Sequence, residues 1–126
     1  LKILENNKLI KLDIFLPVIG EKDQINFSPW KKNQVLRVNR FGMLEPLKSK
    51  VSVPHVMLVP TLAYDYKKYR LGYGKGFYDR YLNKYSKKFN NILTVGVAFS
   101  FQKYHKLPIN KKDFKLNYIL TEKGIY

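Results

Sequence analysis

Apolar residues are distributed along this chain in two ways: as short continuous runs and, in one place, at helical spacing. "DIFLPVIG" (13–20), "HVMLVP" (55–60) and "NILTVGVAF" (91–99) are the continuous runs. Runs of that length, rich in branched residues and bounded by Pro, Gly, His or Asn, predict buried strands. "VLRV" (35–38) and "NYILTEKG" (117–124) predict two further short strands. Residues 1–12 carry Ile3, Leu4, Leu9, Ile10 and Leu12, an imperfect helical pattern. Phe77, Tyr81, Leu82, Tyr85 and Phe89 repeat at roughly helical spacing, which predicts a helix from about 76 to 88. Between these lie stretches read as turns and loops: "EKDQINFSPWKKNQ" (21–34), residues 61–75, and "QKYHKLPINKKDFKL" (102–116). In "NRFGMLEP" (39–46), Gly42 and Pro46 interrupt any regular element.

Continuous apolar strands separated by helices imply strands covered on both faces. The expected fold class is therefore α/β, three-layer, with a mostly parallel sheet and helices on both faces. In such sheets ligands bind beyond the carboxyl ends of the strands. The chain has 126 residues and shows no repeat, low-complexity tract or linker, so a single domain over 1–126 is expected. An apolar fraction of 45% and an aromatic fraction of 15% exclude a disordered chain. There is no cysteine, which excludes disulfides and thiolate-bound zinc. No apolar run approaches the roughly 20 residues that span a bilayer. The charged start "LKILENNKLIKL" does not resemble a secretory signal, so no membrane partner and a cytoplasmic location are expected.

The formal net charge is +15. Lysine supplies most of it, with arginine only at Arg37, Arg40, Arg70 and Arg80. The lysines are scattered as pairs among asparagines. Two readings fit that scatter: a solvated basic surface, or a surface suited to polyanionic small ligands.

The candidate chemistry sits in "RLGYGKGFYDRYL" (70–82), where Gly72, Gly74 and Gly76 alternate before the predicted helix begins. A glycine turn emptying into a helix start aims unpartnered N–H groups outward, and the helix dipole adds to their attraction for anions. Arg70 can grip a phosphate with two parallel donors, while Lys75 supplies a movable point charge. Asp79 falls in the first helical turn, where it either favours the helix start or holds a magnesium ion beside phosphate. "GYGKG" lacks the Ser or Thr of a P-loop and the spacing of a dinucleotide fingerprint, so no common phosphate motif explains it. Tyr73, Tyr78 and Tyr81 read either as core and rim aromatics or as ligand platforms. Asp65 reads as an Asx turn or as a functional acid. His55 and His105 show no ligand spacing and receive no role.

"LVPTLAYDYKKYRLGYGKGFYDRYL" resembles the signature of the 5-formyltetrahydrofolate cyclo-ligase (5,10-methenyltetrahydrofolate synthetase) family. "FLPVI", "INFSPW" and "FGMLEP" before it, and "VGVAFSFQ", "LPINKKD" and "ILTEKG" after it, match collinearly, so the resemblance covers essentially the whole chain. It implies a Rossmann-like cyclo-ligase fold. It also implies a ligase that uses ATP and Mg²⁺ to convert 5-formyltetrahydrofolate to 5,10-methenyltetrahydrofolate, releasing ADP and phosphate. By position, Arg70, Leu71, Gly72, Tyr73, Gly74, Lys75, Gly76, Phe77 and Tyr78 would line the ATP phosphates. Tyr73 to Phe77 would also border the folate, and Asp79 and Asp113 would hold Mg²⁺. Arg70 and Lys75 are the implied catalytic residues. The implied partner is 5-formyltetrahydrofolate, with or without a polyglutamate tail, bound by a monomer without nucleic acid.

The chain departs from the family pattern in two places: Thr61 stands where glycine is usual, and Asn117 replaces a frequent aspartate. Family members also carry an N-terminal region before the "FLPVI" match that contributes basic residues to ATP and a glutamate to folate. The chain starts at Leu1 and not Met, so something upstream is expected to be missing, and the residues given begin too late to contain that region. The alternative reading from another class is a non-catalytic basic nucleotide- or RNA-binding domain, which would present stacking aromatics along a positive groove. Here the aromatics gather at one glycine-rich site, which favours the cyclo-ligase reading.

Overall fold

A computed structural model of the chain describes residues 12–47, 50–88 and 92–126. The helical pattern read over residues 1–12 lies outside the described residues except for Leu12. The fold is mixed α/β, with both parallel and antiparallel pairing. It divides into two compact units, Leu1–Val53 and Pro54–Tyr126.

In the first unit, β1 (Ile14–Ile19) and β2 (Ile25–Trp30) form an antiparallel hairpin, with Ile14 opposite Trp30 and Ile19 opposite Ile25. The run 13–20 is therefore a strand, but a half-buried one in a two-stranded ribbon and not a member of a parallel sheet. The strand β2 occupies a stretch read as turns. Pro29 and the flanking polar residues argue against a strand, yet in a two-stranded ribbon each strand has an open edge where proline costs no ladder bond. Ile25 and Phe27 are buried on it. β3 (Leu36–Val38) pairs antiparallel with β4 (Leu44–Pro46). The turn between them is built on Asn39, whose Oδ1 accepts the N–H groups of Phe41 (2.9 Å) and Met43 (3.1 Å). Gly42 does interrupt the chain there, as a turn residue with φ +77°, while Pro46 ends a strand instead of preventing one.

Glu45 on β4 is 1% exposed and holds this unit together. Its carboxylate accepts from Ile19 N (3.0 Å), Arg37 Nε (3.0 Å) and Asn39 Nδ2 (3.1 Å), so it joins β1, β3 and the turn. Burial pushes its pKa up, but those hydrogen bonds and the Arg37 charge outweigh burial and leave it below the ordinary value.

In the second unit, β5 (Val56–Pro60), β8 (Leu93–Val97) and β10 (Tyr118–Thr121) run parallel in the spatial order β10-β8-β5, with β11 (Gly124–Ile125) added antiparallel at the β10 edge. Met57 and Val59 are buried on β5, while Val56 and Leu58 between them are exposed. Among the described residues this sheet is thus covered on one face. β8 and β10 are also stapled by polar atoms: Asn117 Oδ1 accepts from Thr94 N and Thr94 Oγ1, both at 2.8 Å. Asn117, where the family pattern has an aspartate, is itself exposed and closes this partly buried contact. A second small sheet, in the order β7-β6-β9, is made of β6 (Ala63–Asp65), β7 (Arg70–Leu71) and β9 (Lys103–Tyr104). All three fall in stretches read as loops, and each is too short to show a period. The described residues hold one α-helix, α1 (Phe77–Tyr85), which buries Tyr81 and Leu82. No described helix is long and apolar enough to cross a membrane.

Two outcomes are expected of Glu45. Glu45→Ala leaves Ile19 N–H and the Arg37 side chain without their acceptor and should destabilise the first unit by about 2 kcal/mol. Because the folded-state pKa is depressed, the carboxylate's contribution is present above the ordinary glutamate value of about 4.3 and is lost as pH falls through the folded value. Trp30, the single tryptophan, lies on β2 and reports both in urea titrations followed by fluorescence. An alanine variant with an unchanged midpoint and the same acid sensitivity as wild type would remove Glu45 from this role.

Candidate active site

The glycine segment is assembled from β7, the turn 72–76 and the start of α1. Its base is Asp65, 2% exposed at the end of β6. Asp65 Oδ1 accepts the N–H groups of Lys67 (3.0 Å) and Tyr69 (3.1 Å), and Oδ2 accepts from Leu107 N (3.3 Å). Of the two readings of Asp65, this geometry is the Asx turn: it folds β6 back onto β7 and delivers Arg70 to the site.

Arg70 then points inward. Its side chain is 4% exposed, with Nη1 donating to Pro60 O (3.1 Å) and Nη2 to Asp79 Oδ2 (3.2 Å). The guanidinium also lies over the Tyr78 ring, 5.5 Å from its centroid, and its Nε is buried with no hydrogen-bond partner among the described residues. Gly72 makes this placement possible, since a Cβ there would stand 2.5 Å from Arg70 Nη1. Burial pushes the Tyr78 phenol pKa up, and the Arg70 charge opposes that rise.

Asp79 is the centre of the cluster. While Oδ2 receives Arg70, Oδ1 accepts from Phe114 N (3.2 Å). The carboxylate thereby ties the first turn of α1 to the residue following Asp113. Asp113 is itself set by its own loop, its Oδ2 accepting from Asn110 N (2.8 Å). The two acids named from the sequence are thus brought to neighbouring chain segments 34 residues apart in sequence (113 − 79). Among the described residues no group of three or more His, Cys, Asp or Glu side chains is arranged to hold a metal ion. A pair of carboxylates is a hard oxygen donor set that suits Mg²⁺, which takes one or two carboxylates and completes its shell with phosphate oxygens and water.

Gly76 caps α1 with φ +67°, a left-handed conformation that favours glycine. The carbonyl of Lys75 beside it is held by Arg80 Nη1 (2.7 Å), so the turn is fixed from the helix side too. Gly74 also has positive φ, and Tyr73 between the glycines is 73% exposed. The segment Gly72–Gly76 is therefore a rigidly anchored turn leading into a helix start, with Arg70 and Asp79 bracing it from below.

A larger feature lies at the carboxyl ends of β5, β8 and β10. A cavity of about 620 Å³ opens there, and Tyr73 is the glycine-turn residue on its wall. Glu122 and Gln102 also line it, and neither was singled out from sequence. Both follow directly on strand or turn ends at the carboxyl edge, and that position was the available signal.

A model of the 5-formyltetrahydrofolate cyclo-ligase family matches residues 1–122. The 5-formyltetrahydrofolate cyclo-ligase of Haemophilus influenzae is 32% identical over 119 residues, which cover 86% of this chain and 61% of that protein. The solved structure of Aquifex aeolicus 5,10-methenyltetrahydrofolate synthetase superposes with a TM-score of 0.73 at 32% identity, covering 98% of this chain and 62% of that one. That of the Mycoplasma pneumoniae 5,10-methenyltetrahydrofolate synthetase shares the fold, with a TM-score of 0.62 at 24% identity over 86% of this chain and 55% of that one. The chain spans less than two thirds of the length of the first relatives it matches. With the match running through the hairpin of the first unit, the parallel strands and the glycine turn, this chain belongs to the 5-formyltetrahydrofolate cyclo-ligase family.

Proposed function

We propose that this chain carries the phosphate-binding part of an ATP- and Mg²⁺-dependent 5-formyltetrahydrofolate cyclo-ligase. The observation that supports it most directly is the braced glycine turn at the start of α1, with Lys75 inside it and Asp79 beneath it. The reaction couples two steps. The formyl oxygen of 5-formyltetrahydrofolate attacks the γ-phosphorus of ATP and ADP leaves. N10 of the folate then attacks the activated formyl carbon, inorganic phosphate departs, and the five-membered ring of 5,10-methenyltetrahydrofolate is closed. Phosphoryl transfer asks a protein mainly for positioning and charge neutralisation.

The roles are divided among the turn, its cations and the two acids. Backbone N–H groups from Leu71 to Tyr78 face the phosphates, and Lys75 neutralises charge that develops on the transferring group. Tyr73 to Phe77 border the folate. Arg70 donates to Pro60 and Asp79, which holds the turn and the acid in place, and it keeps further N–H donors for the phosphates. Asp79 and Asp113 would hold Mg²⁺, which when bound neutralises the polyphosphate. The substrate class includes folates with polyglutamate tails, which the excess of lysine suits. The working form is a cytoplasmic monomer that does not bind nucleic acid. Its single domain is completed to a three-layer sheet with helices on both faces.

Lys75→Gln in the full-length protein should lower turnover by on the order of 10²-fold, the scale of losing one preorganised electrostatic contact. Its melting temperature should hardly move, and wild-type turnover would remove Lys75 from the mechanism. For the metal, Asp79→Asn should raise the magnesium concentration needed for half activity, and Asp113→Asn should raise it less. Identical magnesium curves for both variants and wild type would return Asp79 to its helix-start role. Gly72→Ala should displace Arg70 from Asp79 and reduce turnover by at least about tenfold. If the Gly72→Ala protein matched wild type, the brace would be dispensable. All three are followed by absorbance of the methenyl product.

A further inference from the structure

The cavity at the carboxyl edge of the parallel strands is mostly apolar and carries one carboxylate, Glu122, on its wall. Leu62, Val97 and Leu120 line it, and the rings of Tyr73 and Phe99 stand at its rim. Its volume of about 620 Å³ lies in the range that encloses small organic ligands. Three other polar side chains on its wall, Thr61, Thr121 and Gln102, bond within the fold. Thr61 Oγ1 donates to Val59 O (3.0 Å), and Thr121 Oγ1 donates to Gly124 O (3.3 Å) while accepting from Lys123 N (3.2 Å). Gln102 is spent at both ends: Oε1 accepts from Phe99 N (2.6 Å) and Nε2 donates to Leu62 O (2.8 Å). Gln102 thereby locks the chain after β5 to the chain after β8 and fixes the rim.

Glu122 differs. One oxygen accepts from Ser100 N (2.9 Å) and the other from Ser100 Oγ. A carboxylate accepts about four hydrogen bonds, and with Ser100 and the backbone N–H of Glu122 as donors it keeps room for one donor from a ligand. The two Ser100 hydrogen bonds, side chain and then backbone, hold the Glu122 pKa below the ordinary value. Glu122 is exposed to solvent and presents a carboxylate acceptor on the wall of a mostly apolar pocket. It suits a planar ring that carries an N–H donor on its edge and repels one that presents only acceptors there.

We propose that this pocket receives the planar amino-heterocycle of a reactant and that Glu122 reads its exocyclic amino group. The proposal rests on the cyclo-ligase reading, which brings two molecules of that chemistry to the neighbouring glycine turn: a nucleotide with its adenine and a reduced folate with its 2-aminopteridine. Tyr73 belongs to both the turn and the pocket wall, so a ring held in the pocket leaves its reacting end at the turn.

The test is calorimetric binding to the full-length protein and to its Glu122→Ala variant. The probes are ADP, purine riboside 5′-diphosphate (which lacks the amino group), 5-formyltetrahydrofolate and its 2-desamino analogue. Glu122→Ala should weaken one parent ligand by on the order of tenfold, the cost of one hydrogen bond to a charged acceptor. The deaminated analogue of that ligand should bind wild type and variant alike. Loss confined to ADP identifies adenine as the occupant, and loss confined to the folate identifies the pteridine. Equal weakening of a parent and its analogue, or no weakening of either parent, overturns the proposal. Methenyl product formed by the wild-type protein alongside such a result leaves the cyclo-ligase reading standing and sinks the pocket assignment alone. A wild-type protein that forms no product and binds neither parent overturns both.

Discussion

The carboxylate of Asp79 is the joint on which the candidate site depends. One oxygen takes Arg70 and the other takes the backbone of Phe114. Three segments that share no regular element are thereby placed together: β7, the first turn of α1 and the loop carrying Asp113. Each has its own local support, namely the Asx turn at Asp65, the left-handed cap at Gly76 and the Asn110–Asp113 contact. Two further bonds help Asp79 across the segments: Leu107 N donates to the other oxygen of Asp65 (3.3 Å), and Asn83 Nδ2 on α1 donates to Lys112 O (2.7 Å). Both bonds to Asp79 are partly buried, and a hydrogen bond to a charged acceptor in such a setting is worth more than one in water.

Polar side chains carry much of the long-range bonding elsewhere too. Glu45 does for the first unit what Asp79 does for the site, and Thr94 with Asn117 does it for the parallel strands. The two carboxylates collect donors from different elements, while Asn117 Oδ1 collects two from Thr94 alone, and each such acceptor helps to specify the register. Lysines, by contrast, contribute few of these bonds. Lys68 Nζ to Asn117 O is one such case, at 2.9 Å on an exposed surface.

What could be read from sequence follows the strength of the local signal. β5, β8 and β10 were legible because continuous apolar runs bounded by turn residues have few other uses, and α1 because five aromatic and aliphatic residues repeat at helical spacing. β2 was hidden by Pro29, and β6, β7 and β9 by being two or three residues long. Such elements exist only because tertiary hydrogen bonds hold them. The glycine turn was legible as a turn emptying into a helix start, since glycine alternation before a helical pattern marks positions of positive φ. The inward turn of Arg70 was not, because it depends on the Pro60 carbonyl and on the absence of a Cβ at Gly72. Glu122 and Gln102 were also illegible as individuals, although the rule that ligands gather at the carboxyl ends of parallel strands points to the edge they occupy.

The two bonds of Asp79 differ greatly in reach along the chain. Its partner Arg70 lies 9 residues away, and Phe114 lies 35 away. The shorter loop closes at small entropic cost, so the turn and helix start can approach their final form early in folding. The longer one encloses the whole of β8 and the chain that follows it, and by the same scaling it costs about 1 kcal/mol more to close. A single side chain therefore joins a cheap local closure to a dearer long-range one, and through it the glycine turn is tied to the loop of Asp113.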